Sequence, residues 1–275
     1  MGRYLLMETL PYASTWPDEW AGRRRSSLLL FGTVFMGLLT LGIAAAAVSL
    51  AAGGDTGSAV VFAAIAVYFG HLTALSLHSW RGGRRRSDTT GVQQEVKGLV
   101  FRYGTTPTYL LGAFLALTTV ALAAMCVVSA LRGGAQGYIV AAVLAAGAVL
   151  LAVFLAVFVK LAPGEVVVGP DGIHHRGLTF THFVPWEAVV DVAALWAHAP
   201  VVFIRTIGSS GTVTRNYLGR STPGPQALSP FDTISGRWLA ADPALLLKAV
   251  AYYIVHPADR RELAGGDALR RIAAM

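Results

Sequence analysis

The chain has 275 residues, of which 55% are apolar and only 13% charged, with a net charge of +7. Soluble globular chains carry roughly 25% charged residues, so this composition excludes an ordinary water-soluble enzyme and points to a bilayer. A single cysteine, Cys126, excludes a disulfide framework and the common zinc ligand sets.

Residues 1–25 lead into the first apolar stretch and carry Trp16 and Trp20 close to Arg23, Arg24 and Arg25. They read as a cytoplasmic interfacial segment. Four apolar spans follow, over about 26–52, 58–77, 107–131 and 138–161. Each has about 20 or more residues, enough at 1.5 Å per residue to cross a hydrocarbon slab of roughly 30 Å. The first run is too long, and begins too far from Met1, for a cleaved signal peptide.

Basic residues set the orientation. Twenty-one of the 22 Lys and Arg fall before the first span, in the 79–106 connection, or after residue 159. The two short connections, GGDTG and RGGAQG, hold only Arg132. The positive-inside rule then predicts both termini in the cytoplasm. Short outer turns make the spans two antiparallel hairpins. Most of the charge surplus lies in residues 1–159, near span ends, which argues against nucleic acid as a partner.

Within the spans, His71 is the one ionisable candidate for a solute path, with Tyr68 three residues before it and His78 one heptad after. Gly32, Gly37 and Gly42, and the Ala141-xxx-Ala145 pair, are small-residue patterns suited to close helix packing or a homo-oligomer face. The arginine clusters Arg23, Arg24, Arg25 and Arg84, Arg85, Arg86 stand where anionic lipid headgroups would be. In the 79–106 connection, Val92–Val100 reads as a short interfacial helix.

From residue 164 the pattern becomes short β-prone runs. Strands are expected at Glu165–Gly169, Ile173–Arg176, Leu178–Val184, Val189–Val192, Ala194–His198 and Val201–Ile207, with Phe231–Leu239 closing the sheet. Residues 208–230 read as a loop. Asp242-Pro243 caps a helix ending near His256, whose Leu246, Val250 and Tyr253 form an apolar stripe. A second helix, Ala258–Ile272, is expected with Arg260, Arg261, Glu262, Arg270 and Arg271 in water. A two-residue turn at Gly177-Leu178 would set His175 diagonal to His182 on one strand face, with no carboxylate near. His174, His175, His182 and His198 are therefore expected as solvated or strand-face residues, with no metal or other cofactor.

GPDGI followed by a strand, then VPWEAV, then DPALLLKAVAYYIVHPADRREL, resembles the pleckstrin-homology-like domain at the cytoplasmic end of small actinobacterial multi-pass membrane proteins. The resemblance covers about residues 164–272. It implies a cytoplasmic α+β barrel or sheet capped by a C-terminal helix, acting as a binding module for peptides or lipid headgroups and carrying no catalytic residues. The first hairpin loop, Gly169–Gly172, lacks the Lys and Arg of phosphoinositide binders. Only Ala162, Pro163 and Gly164 join the last span to the first strand, a reach of about 10 Å that makes the tether nearly rigid. The expectation is a non-enzymatic membrane scaffold or accessory subunit of the cell membrane that docks an unidentified protein or lipid headgroups. An oligomeric channel or small-solute transporter is the alternative.

Overall fold

A computed structural model describes residues 16–21, 27–81, 88–209, 211–217 and 231–275, which fall into two compact units. The helical unit holds α1 (Ser27–Ala52), α2 (Thr56–Arg81), α3 (Thr105–Arg132) and α4 (Gly134–Leu161). All four are long and apolar enough to cross a membrane. Their outward surfaces carry large apolar side chains such as Leu28, Phe31, Leu131 and Leu150, which suit lipid and not water.

Both hairpins form. Along α1 and α2 the contacts run in opposite directions: Thr33 Oγ1 to Ser76 Oγ at 2.6 Å, Gly37 against Thr73, and Thr40 Oγ1 to Thr73 Oγ1 at 3.2 Å. Thr33, Thr40 and Thr73 also donate to carbonyls one turn back in their own helices, so each hydroxyl is satisfied without water. Gly37 lies at this seam, whereas a Cβ on Gly32 or Gly42 would meet nothing within 4 Å. Between α3 and α4, Gly112 faces Phe158 and Gly147 faces Leu122. The α3–α4 turn reduces to Gly133 and Gly134, at φ +68° and +74°, a left-handed pair that side chains disfavour.

The second unit draws on three stretches of chain: the described residues before α1, those between α2 and α3, and those from Leu161 onward. Its larger sheet is antiparallel, in the order β1 (Val92–Glu95), β2 (Gly98–Arg102), β3 (Glu165–Val168), β4 (Gly172–Arg176), β5 (Phe180–Pro185), β8 (Val213–Asn216). The smaller sheet is β6 (Val189–Trp196), β7 (Pro200–Thr206), β9 (Phe231–Ser235). Helix α5 (Pro243–Val255) contacts β6 and β7, and buries Leu246, Val250 and Tyr253 as their spacing predicts. Asp242 caps it, accepting the Ala244 N–H at 2.9 Å.

The structure corrects several expectations. Val92–Val100 is not an interfacial helix but the β1–β2 hairpin, which enters the sheet beside β3. Leu99, Val100 and Phe101 are completely buried there, so burial outweighs the helix-compatible Gln, Glu and Lys around them. Gly98, at φ +135°, closes the turn; a Cβ there would sit 2.2 Å from the Val168 carbonyl oxygen.

Trp16 and Trp20 are not an interfacial lead-in. The Trp20 ring lies in the core and donates Nε1–H to the Leu195 carbonyl at 2.8 Å, while Trp16 donates to the Asp242 carboxylate. The two strands expected at 189–192 and 194–198 are one strand, β6, because β7 pairs along its whole length. Within the expected 208–230 loop, Val213–Asn216 pairs onto β5.

The expected helix at 258–272 is instead a 3-10 segment (Pro257–Ala264) and α6 (Ala268–Ala274), parted by Gly265 and Gly266, the latter at φ +99°. Its charges are not simply solvated. Arg260 lies over the Trp186 ring and donates to the Tyr253 carbonyl, and Glu262 accepts from Tyr253 and Arg271.

Candidate functional site

The two faces of the six-stranded sheet carry different chemistry, and cross-strand register decides what meets what. On the inner face, Phe101, Val166, His175 and His182 lie in one row, each opposite the next. His175 is thus directly opposite His182 and not diagonal to it: four residues (177–180), in place of two, separate the paired Arg176 and Thr181, which moves the partner of His175 along β5 by two residues and keeps the same face. Both imidazoles are buried, against the expectation of solvated or strand-face histidines.

A carboxylate is also present. Asp232, on β9 of the other sheet, lies 2.9 Å from His175 Nδ1, and the Tyr103 hydroxyl lies 2.7 Å from His175 Nε2. With the carboxylate ionised, Nδ1–H donates to Asp232 and Nε2 accepts from the phenol. Burial by itself would raise the Asp232 carboxyl. His175, bonded to it, and then His182 more than offset this and hold it below the ordinary carboxylate range.

This Tyr–His–Asp line joins three parts of the chain. Tyr103 follows β2 and precedes α3, its N–H donates to the Gly164 carbonyl just ahead of β3, and Asp232 belongs to the second sheet. Chemically it is a clasp. Both nitrogens of His175 are engaged, and burial followed by the Asp232 charge pushes the Tyr103 phenol up, the opposite of what a nucleophile or general base needs. Among the described residues no group of three or more His, Cys, Asp or Glu could hold a metal ion.

His182 completes the cluster. Its Nδ1 is buried with no hydrogen-bond partner among the described residues. Burial lowers its pKa most, Asp232 opposes this, and His175 adds to it. A folded pKa below the unfolded value of roughly 6.5 gives stability that is complete above that pH and lost as pH falls through the folded value. We therefore expect the melting temperature of the full-length protein in detergent to fall between pH 7.5 and 5.5, and His182→Asn to shrink that fall. An unchanged slope in the variant would show that His182 does not set it.

The outer face is open. A groove of about 740 Å³ runs across it, from the turns Val96-Lys97 and Pro170-Asp171 to Glu165, Arg176 and Thr181 at the other end. Its middle row is Val167, His174, Phe183 and Val213, and the His174 and Phe183 rings lie 4.2 Å apart. Glu165 bridges Lys97 at 3.0 Å and Arg176 at 3.7 Å. His174 lies on this face beside Phe183, where partial burial and then Lys97 lower its pKa. His198 is exposed in the β6–β7 turn at φ +60°.

Tyr68 and His71 do not share a hydrogen-bonded path. Tyr68 meets the Thr118 hydroxyl at 3.3 Å and the Phe114 ring, joining α2 to α3, while His71 Nδ1 is bonded to the Val67 carbonyl of its own helix. Arg23, Arg24, Arg25, Arg84, Arg85 and Arg86 lie outside the described residues. Sequence reasoning missed Tyr103 and Asp232. One lay in a connection between spans and the other beyond a long loop, and no local pattern joined them. Comparison with protein-family models, curated proteins and solved structures finds no match.

Proposed function

We propose that this protein is a non-enzymatic scaffold or accessory subunit of the cell membrane, with a cytoplasmic, pleckstrin-homology-like unit that docks an extended segment of a partner protein. The observation that carries this reading is the outer groove: an apolar and aromatic row, Val167, His174, Phe183 and Val213, ending at β8, whose far edge pairs with no strand among the described residues. An extended peptide can add to such an edge through its backbone and seat alternate side chains in the groove.

The sealed Tyr103–His175–Asp232 clasp supports a structural role over a catalytic one. Two antiparallel sheets followed by a helix, in the order β3 to β9 and then α5, support the pleckstrin-homology-like reading. One core built from stretches on either side of two apolar hairpins supports a common side for all three, and the arginine distribution favours the cytoplasm. No geometry favours the channel alternative through His71 and Tyr68.

Site-specific photo-crosslinking in cells tests the docking surface. A photoreactive residue at Val213 or Val96, both strongly exposed at the groove, should give a discrete protein adduct. The same residue at Val255, exposed at the end of α5, should not. No adduct at either groove position, or the same adducts at all three, would refute the reading.

A further inference from the structure

The antiparallel order fixes which strand ends share one end of the larger sheet. β2 ends there and passes through Tyr103 and Gly104 into α3, and β3 begins there three residues after α4. The row at that end, read by register, is Arg102, Glu165, Arg176, Thr181 and Arg215, one residue from each of five adjacent strands. At about 4.8 Å per strand it spans about 20 Å.

Three arginines thus stand on one face around a single carboxylate within the row. Lys97 reaches the same carboxylate, and Glu95 pairs with Arg102 at 3.0 Å. The Arg102 and Arg176 side chains are about two-fifths exposed, and Arg215 is exposed beside Tyr217.

Only a few residues of chain separate this row from the two spans. Helix α3 has 28 residues, about 42 Å against a slab of roughly 30 Å, so its first turn emerges among the headgroups. Arg102 is three residues before that turn, about 10 Å at full extension. Glu165 is four residues beyond the end of α4, and Arg176 is paired with it.

We infer that this cross-strand row binds the phosphates of anionic lipids in the adjoining leaflet, so that the sheet end from which α3 and α4 spring is seated on negative headgroups. It deepens the proposed membrane scaffold by assigning a lipid contact to residues outside the arginine clusters of the loops. It lies at the opposite end of the strands from the Gly169–Gly172 turn. Glu165, Arg176 and Thr181 also close one end of the partner-docking groove, but the crosslinking positions Val96 and Val213 lie towards its other end, so lipid binding and crosslinking can fail independently.

The test uses full-length protein in an uncharged detergent, titrated with dioctanoyl-phosphatidylglycerol, dioctanoyl-phosphatidylcholine or glycerol phosphate, with bound lipid counted by native mass spectrometry. Phosphatidylglycerol should bind in preference to phosphatidylcholine, and glycerol phosphate should not displace it. A cation near the surface is worth about fivefold in affinity. The variant R102Q/R176Q/R215Q should therefore weaken phosphatidylglycerol binding by about tenfold or more. Glu165→Gln, which removes the competing carboxylate, should strengthen it by about two- to fivefold. Equal binding of the two lipids, displacement by glycerol phosphate, or a triple variant that melts normally and binds normally would overturn the inference. If the triple variant melts early, Glu165→Gln decides: stronger binding supports the site and unchanged binding overturns it.

Discussion

Asp232→Ala should destabilise the α+β unit by about 3–5 kcal/mol, because it leaves His175 Nδ1–H in a dry core without its acceptor. The carboxylate and both imidazoles are almost completely removed from solvent, so water cannot enter to replace the lost bond without opening the sheets. Asp232→Asn keeps an oxygen where Nδ1–H can donate and should cost less. Tyr103→Phe deletes only the hydroxyl and should cost about 1–3 kcal/mol. The sign with pH is fixed. A folded carboxyl held below its unfolded value stabilises fully above about pH 4 and loses this as pH falls towards the folded value. The Asn variant should therefore lose that part of the acid dependence while the wild type keeps it. Thermal melting of the detergent-solubilised protein reads both effects, with a fall on the order of 10 °C expected for Asp232→Ala. A melting point within about 2 °C of wild type would mean that the clasp does not hold the sheets together.

The spans were legible because lipid imposes a one-dimensional rule: about 20 apolar residues without charge, whatever packs beside them. The turn chemistry around Gly133 and the Asp242-Pro243 cap was equally local, and both stand where the sequence puts them. The α+β unit obeys a different logic. The β1–β2 hairpin contains Gln93, Gln94, Glu95 and Lys97, residues that suit an amphipathic helix, and nothing within those nine positions reveals that β3 waits more than 60 residues downstream. Register was missed in the same way. Two extra residues in the connection between β4 and β5 moved His182 opposite His175 and into reach of Asp232. Long-range pairing, and not residue type, made the histidines buried, and it also brought Arg102, Arg176 and Arg215 into one row.

Trp20→Ala gives the second large expected effect, about 3–5 kcal/mol, from loss of a buried indole and of the cavity it fills. Trp20 is 2% exposed, donates to the Leu195 carbonyl on β6, and meets Trp16 edge-to-face with centroids 5.7 Å apart. Trp20→Phe restores most of the packing but gives up the indole hydrogen bond to that carbonyl, so an intermediate loss is expected. Hydrogen exchange separates this from a membrane-anchoring role. If the N-terminal segment is part of the soluble core, Trp20→Ala speeds exchange in β6 and at the start of α5, where Trp16 bonds the capping Asp242. If the indole were a lipid anchor, exchange in those strands would not change and any effect would be confined to α1. The result bears on more than one residue. Residues 16–21 precede α1, whereas the strands they cover follow α4. Faster exchange in β6 would place both ends of the four-helix segment on a single side.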